Sequence, residues 1–96
     1  MSPSPSPEES SRAVHVRRLQ WGSRRGLLEL DLFFADFARE ILPTFDDQAL
    51  EAYERLLFED DNTLLEWLHD RAHPEDPTLV AVVNRIREFR LTPRNA

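Results

Sequence analysis

The sequence predicts an all-α protein, a compact five-helix bundle that follows a disordered N-terminal tail. Apolar residues recur every three or four positions along most of the chain, which is the spacing of one buried helix face. The periodic segments start or stop at helix signals such as Asp46, Asp76-Pro77 and Pro43. The connections between these segments are short, as they are in helical bundles.

The two ends of the chain lack the apolar residues that a core requires. Residues 1–11 alternate serine with proline and then carry two glutamates, a composition typical of disorder. Residues 92–96 are predicted to be a frayed C-terminus. We therefore expect one helical domain over residues 12–91.

The first two helices are predicted on either side of a Gly-Ser break. Residues 12–21 form a short basic segment with apolar residues at helical spacing, and Gly22 interrupts it. Ser23 can cap the second helix, which should end before Pro43 because proline disfavours helical conformation in the preceding residue. The expected core stripe of this helix is Leu27, Leu30, Phe34, Phe37 and Ile41.

Each of the last three helices is predicted to begin at an acidic cap. Asp46 should cap the third helix, Asp61 the fourth and Asp76 the fifth, where Pro77 occupies the first helical position. The valines near residue 80 could indicate a strand, but helical spacing continues for a dozen residues and favours a helix. The expected inward residues are Leu50, Tyr53 and Leu57 in the third helix, Leu64, Leu65, Trp67 and Leu68 in the fourth, and Leu79, Val82, Val83, Ile86 and Phe89 in the fifth.

Composition excludes several classes of protein. The 96-residue chain contains no cysteine, which excludes disulfides, thiolate zinc sites and cysteine nucleophiles. Its net charge of −6 disfavours a general nucleic-acid binder. It has no apolar run that approaches the roughly 20 residues of a membrane span, and its N-terminus resembles neither a signal peptide nor a transit peptide. We therefore expect a cytoplasmic protein that has no membrane partner.

No catalytic or metal-binding constellation is apparent in the sequence. His69 and His73 have the spacing of a possible metal pair, but Pro74 follows at once and no third ligand has an obvious spacing. Serine and threonine residues lack a nearby histidine base, and two glycines cannot form a phosphate loop. We therefore expect solvated histidines, no catalytic residue, and no metal or cofactor of the protein's own.

A patch of mixed polarity on the second helix is the most specific site signal. If the whole segment is helical, Arg25 and Glu29 share its outward face as an i, i+4 pair, and Gly26 lies at the edge of that face. Phe33 and Leu32 also project outward, although both are apolar. Such a patch is typical of a binding surface, where a glycine lets another backbone approach closely. The spacing equally allows Gly26 to relieve strain in the preceding turn and Phe33 to pack on the first helix.

Residues 25–29 have the sequence Arg-Gly-Leu-Leu-Glu, which resembles the Arg-Gly-x-x-Glu motif of the succinate dehydrogenase assembly factor family, the flavinylation factors. The surrounding segment RRLQWGSRRGLLELD resembles the N-terminal block of that family, and RLLFEDDNTLLEWL, residues 55–68, resembles its second block. The resemblance covers about residues 12–90. The Pro/Ser tail departs from the family pattern, as does Phe33, where we expect a smaller or aliphatic residue; neither departure affects the motif.

The resemblance implies a five-helix protein without catalytic activity, which binds the flavoprotein subunit of succinate dehydrogenase or fumarate reductase. It would promote covalent attachment of FAD to a histidine of that subunit, so FAD is the cofactor of the client. The motif assigns partner binding to Arg25, Gly26 and Glu29, and the surface argument adds Phe33. Supporting roles in the same block fall to Trp21, Arg24 and Asp31. We expect a monomer, because an all-α chain offers no strand edge for pairing.

The alternative class is a small regulatory binding protein, either nucleic-acid-binding or antitoxin-like. Its support is the stretch from Arg12 to Arg25, which holds five arginines and no acidic residue. That stretch lacks a convincing helix-turn-helix, and the rest of the chain is acidic.

Overall fold

Five α-helices form the protein over the residues that the computed structural model describes, which are residues 7–91, with side chains described from residue 11 onward. The helices are α1 (Pro7–Gly22), α2 (Leu28–Glu40), α3 (Asp47–Leu57), α4 (Asp61–Leu68) and α5 (Pro77–Leu91), and a 3-10 turn (Leu42–Thr44) joins α2 to α3. Residues 7–91 contain no strand, and the prediction of an all-α fold is confirmed. Over the same range, no helix has both the length and the apolar character needed to cross a bilayer.

The hydrophobic core lies where α2, α3 and α5 meet. α5 packs along α3 and α2 and also contacts α4, while α1 packs against α2, α3 and the 3-10 turn. The predicted stripes of the later helices face this core, and burial of each large apolar side chain contributes roughly 1.5–3 kcal/mol. Leu57, Leu65 and Phe89 are half-buried at its edge, whereas Leu27, which was assigned to the α2 stripe, is 39% exposed.

The predicted starts of α3 and α5 are confirmed. Asp46 caps α3, where its side chain accepts a hydrogen bond from the Ala49 N–H at 2.8 Å. α5 begins at Pro77, directly after Asp76. Both starts depend on a local pattern, a short polar acceptor followed by a periodic apolar run, and such a pattern is visible in the sequence.

The cap of α4 is one residue earlier than predicted. Asp60 rather than Asp61 is the N-cap, and its side chain accepts a hydrogen bond from the Thr63 N–H at 2.7 Å. Asp61 is the first helical residue, and its carboxylate instead binds Arg25, which lies 36 residues away in the sequence.

α1 is longer at its N-terminal end than predicted. It begins at Pro7, five residues before the predicted basic segment, which starts at residue 12; the division of the chain into a tail and a domain stays a prediction. Proline is favoured at the first helical position, where its missing N–H would have no partner within the helix in any case. Residues 1–6 of the predicted tail over residues 1–11 lie outside the described residues, as does the predicted frayed end over residues 92–96.

α2 begins at Leu28, well after the predicted cap at Ser23. Ser23 does not cap this helix: its buried hydroxyl donates to the Leu19 carbonyl at 2.7 Å and lies 2.5 Å from the Tyr53 hydroxyl. The loop between α1 and α2 contains Gly26 with φ of +76°. This left-handed conformation is readily adopted by glycine and is incompatible with a right-handed helix through that residue.

Candidate partner-binding site

The Arg25 side chain fastens the α1–α2 loop to the α3–α4 loop. Its Nε donates to Asp61 Oδ1 at 3.0 Å, its Nη1 to the Leu57 carbonyl at 2.8 Å, and its Nη2 to the Glu59 carbonyl at 2.7 Å. The side chain of Arg25 is only 16% exposed, so these charge-assisted bonds are largely shielded from water. The guanidinium group therefore fixes one loop relative to the other.

Two further contacts hold the α1–α2 loop in place. The carboxylate of Asp31 accepts a hydrogen bond from the Arg25 backbone N–H at 3.0 Å. A Cβ placed on Gly22 would lie 3.3 Å from Leu57 Cδ1, so the end of α1 packs directly on the end of α3. The carboxylate of Asp31 thus holds the loop by a hydrogen bond to the backbone of the loop.

Gly26 lies at the exposed part of this loop. Its φ of +76° requires a residue that tolerates the left-handed region. Among the described residues, apart from Gly26 and its two chain neighbours, no atom lies within 4 Å of the position of a Cβ. The positive φ agrees with the interpretation of Gly26 as a turn residue. The open space beside it leaves room for the close approach of another backbone.

Glu29 does not pair with Arg25, contrary to the i, i+4 arrangement that the spacing suggested. Arg25 lies in the loop before α2, so the two residues do not share a helix face. Glu29 Oε2 lies 2.7 Å from His69 Nε2 at the end of α4. His69 and His73 are both exposed at the surface, and among the described residues no group of His, Asp or Glu side chains is arranged to hold a metal ion.

Phe33 is half-buried, and its assignment to an outward face is wrong. Its ring packs edge-on against His69 with centroids 5.8 Å apart, and the guanidinium carbon of Arg90 lies 5.8 Å from the ring centroid. At 100° per residue, Phe33 lies only about 40° from the buried Phe37. It therefore lies at the border of the core stripe, where its ring reaches the edge of the core. Phe33 packs against the ends of α4 and α5 rather than on α1.

Trp21 and Arg24 flank the loop on its solvent side. Trp21 is 69% exposed, and the guanidinium carbon of Arg24 lies 4.6 Å from the centroid of its ring system. Such a cation–π contact contributes about 0.5–1 kcal/mol at an exposed site. Leu28, at the start of α2, is 73% exposed. The loop is therefore bordered by a wide apolar and cationic surface, in the part of the molecule to which the sequence assigned partner binding.

Phe58, which was not among the predicted site residues, is 85% exposed at the end of α3. It lies between Leu57 and Glu59, the two residues whose carbonyls bind Arg25. The available signal was its position directly before the acidic turn Glu59-Asp60-Asp61, where a helix ends and a side chain can point into water.

Two of the five arginines in the stretch from Arg12 to Arg25 are held by internal hydrogen bonds. Arg12 binds Asp47 and two backbone carbonyls at the end of the 3-10 turn. Arg25 is engaged by the α3–α4 loop, and Arg24 lies on the ring of Trp21. Arg12 and Arg25 are therefore less available to a nucleic acid, whereas Arg17, Arg18 and Arg24 are exposed.

Comparison with known families agrees with the resemblance in the sequence. The family described as "Flavinator of succinate dehydrogenase" matches residues 17–90, which include both loops joined by Arg25. The chain is 40% identical to the FAD assembly factor SdhE of Pseudomonas savastanoi pv. phaseolicola over 84% of this chain and 95% of that protein. It is 39% identical to the FAD assembly factor SdhE of Pseudomonas putida over the same shares, and 34% identical to that of Psychrobacter arcticus over 77% and 80%. The chain therefore belongs to the family of flavinators of succinate dehydrogenase.

Proposed function

We propose that this protein binds the flavoprotein subunit of succinate dehydrogenase and promotes the covalent attachment of FAD to it. Membership in the flavinator family supports this function, as do the relatives named FAD assembly factors. In this proposal the protein is an assembly factor without catalytic activity of its own, and FAD is the cofactor of its client. One observation supports the function at the level of residues: the three bonds of Arg25 hold a rigid loop whose Gly26 is open to approach.

Preorganisation of the client is the contribution that such a surface can make. The client supplies both the flavin and the histidine, so attachment requires that these two groups be held within reach of each other. A partner that binds one client conformation more tightly than the others raises the population of that conformation. A rigid loop suits this role because it loses little conformational freedom on binding.

The roles of the motif residues follow from their contacts. Gly26 allows the client backbone to approach the loop closely. Glu29 and Arg24 lie beside it and can form charged hydrogen bonds that fix the register of the client. Arg25 and Asp31 act from inside the protein, because their hydrogen bonds hold the shape of the loop.

The proposal extends to a monomeric state, a cytoplasmic location, fumarate reductase as a second client, and the absence of nucleic-acid and membrane partners. The sequence analysis and the family resemblance are the support for these points. Light scattering coupled to size-exclusion chromatography measures the oligomeric state directly. Binding assays with the purified flavoprotein subunit of each enzyme measure client preference.

Loss of the gene tests the function. In a deletion strain the flavoprotein subunit should be synthesised but poor in covalent FAD, which is measured as in-gel flavin fluorescence of the denatured subunit. A wild-type copy should restore the fluorescence, and a Glu29→Ala copy should restore less. Glu51→Ala, which changes an exposed glutamate on α3, is the matched control and should restore it fully. Undiminished fluorescence in the deletion strain would contradict the proposal and favour the regulatory alternative.

A further inference from the structure

Phe58 is the most exposed of the large apolar side chains in residues 11–91. A single exposed apolar residue is common on protein surfaces and does not by itself indicate a binding site. The backbone at Phe58, however, is fixed by hydrogen bonds. Its own N–H donates to the Arg55 carbonyl at 3.2 Å, and the next N–H, that of Glu59, donates to the Leu56 carbonyl at 3.1 Å. The ring therefore projects into water from a fixed backbone rather than from a mobile loop.

Arg25 adds two bonds to that same segment. Its guanidinium group binds the carbonyls directly before and directly after Phe58, those of Leu57 and Glu59. The backbone of Arg25 is joined to Gly26, so the exposed ring and the open glycine lie within the reach of one arginine side chain. Their relative position is set by three hydrogen bonds in a partly buried setting.

We propose that Phe58 is an anchor residue of the partner-binding surface, and that Arg25 is a positioning residue that holds Phe58 beside Gly26. The inference rests on the proposed function, since the partner is the flavoprotein client. Aromatic anchors in rigid settings dominate many protein interfaces, because they bury a large area at little entropic cost. In this arrangement the guanidinium of Arg25 stays within the protein and does not contact the client.

The neighbours of Phe58 define the chemistry of the client surface. Glu59 and Asp60 follow it directly, and the hydrogen bond from the Thr63 N–H lowers the pKa of Asp60, which keeps that carboxylate ionised. Phe58 therefore stands beside negative charge. The complementary surface on the flavoprotein is an apolar recess with arginine or lysine side chains at its rim.

The anchor is tested with the purified flavoprotein subunit and the full-length protein. Phe58→Ala should raise the dissociation constant at least tenfold and leave the melting temperature nearly unchanged, because the removed side chain is exposed. Val14→Ala is the matched control: Val14 is 48% exposed on α1, two turns before Trp21, and its replacement should leave the affinity unchanged. A Phe58→Ala protein that binds like the wild type would overturn the proposal.

The role of Arg25 is tested by its coupling to Phe58. Arg25→Ala should weaken binding, and adding Phe58→Ala to it should weaken binding less than threefold further, because the ring is already misplaced. If Arg25 contributed to stability alone, the factors by which Arg25→Ala and Phe58→Ala each raise the dissociation constant would multiply in the double variant. Arg25→Lys keeps the charge but not the three bonds, and it should bind as poorly as Arg25→Ala. If Arg25→Ala does not fold, Asp61→Ala removes one of the three bonds and should show the same coupling with smaller amplitude.

The outcomes separate this inference from the function on which it rests. A wild-type protein that neither binds the flavoprotein nor raises its covalent FAD would overturn both. If the wild-type protein does both, two results would overturn the positioning role of Arg25 alone. One is that the effects of Arg25→Ala and Phe58→Ala on the dissociation constant multiply, and the other is that Arg25→Lys binds with wild-type affinity.

Discussion

The hydroxyl groups of Ser23 and Tyr53 lie 2.5 Å apart in the interior of the protein. Ser23 Oγ also donates to the Leu19 carbonyl at 2.7 Å, so its one proton is committed and the Tyr53 hydroxyl is the donor between the two. Both side chains are buried. This pair ties the start of the loop that carries Arg25 and Gly26 to the middle of α3.

We expect Ser23→Ala to destabilise the protein more than Tyr53→Phe. Ser23→Ala leaves a buried tyrosine hydroxyl without its acceptor, which costs about 1–3 kcal/mol. Tyr53→Phe removes the donor but leaves Ser23 bonded to Leu19, and a hydrogen bond lost in this way costs about 0.5–1.5 kcal/mol. Urea unfolding of the two variants measures the difference, and the reverse order would show that Tyr53 is not the donor.

The ionisation of Tyr53 provides a second test of the same pair. Burial raises the pKa of Tyr53 well above its ordinary value of 10.0, so the folded state holds the phenol proton more tightly than the unfolded state does. Stability from this group is therefore fully present below pH 10 and is lost as the pH rises above it. Tyr53 is the only tyrosine in the sequence, so tyrosinate absorbance reports it alone. We expect no tyrosinate in the folded protein at pH 10, and half-ionisation there without unfolding would contradict the buried pair.

Phe33→Ser should lower the melting temperature. The ring is half-buried against His69 and Arg90, so its loss should cost about 0.75–1.5 kcal/mol, half the value for full burial of such a side chain. Leu28→Ser is the control, because Leu28 is 73% exposed and its replacement should change stability by less than about 0.5 kcal/mol. Equal melting temperatures for the wild type and Phe33→Ser would show that the packing of Phe33 against His69 and Arg90 does not stabilise the fold.

The sequence predicted the later helices well because their signals are local. Asp46 and Asp76-Pro77 mark helix starts through hydrogen bonds and backbone preferences within a few residues. The start of α2 could not be predicted in the same way. Ser23 has the right side chain for a cap, but it bonds Tyr53, which lies 30 residues away, and tertiary contacts of this kind override local preference.

In the candidate site, too, the features that the sequence did not predict depend on contacts between residues far apart in the chain. Helical spacing predicted that Arg25 and Glu29 pair on one helix face, but Arg25 and Gly26 lie in the α1–α2 loop and Glu29 lies in the first turn of α2. Arg25 binds groups 32 to 36 residues away, and Glu29 binds a histidine 40 residues away. Contacts at such separations leave no periodicity in the sequence.

Asp76 should stabilise the protein at moderately acidic pH. Hydrogen bonds from Arg55 and from Thr78 lower the pKa of Asp76 from 3.8 to about 2. Because the folded pKa is below the unfolded one, the stabilisation is present above pH 3.8 and is lost as the pH falls towards 2. Asp76→Asn keeps an acceptor for the Thr78 N–H but has no charge, so its stability should depend less steeply on pH in this window. Arg55→Ala should show the same reduced slope, and a wild-type slope in both variants would contradict the assignment.

Substitutions at Gly26 distinguish the effect of backbone strain on stability from the effect of side-chain size. Its φ of +76° disfavours any L-residue, whereas the space around its Cβ position is empty. Gly26→Ala and Gly26→Arg should therefore lose similar stability, about 1–2 kcal/mol. Gly26→Asn should lose less, because asparagine tolerates the left-handed region. Thermal unfolding measures all three, and a much larger loss for arginine than for alanine would show that the site is crowded within the protein.

Client binding should rank the same three variants differently. Gly26→Ala and Gly26→Asn keep the loop shape at a modest energetic cost and add few atoms, so they should retain most of the affinity for the purified flavoprotein subunit. Gly26→Arg fills the open space with a long side chain and should abolish binding, even though its stability matches that of Gly26→Ala. The comparison at equal stability isolates the contact from the fold. If Gly26→Arg binds the subunit as tightly as Gly26→Ala, the client does not approach the loop at this residue.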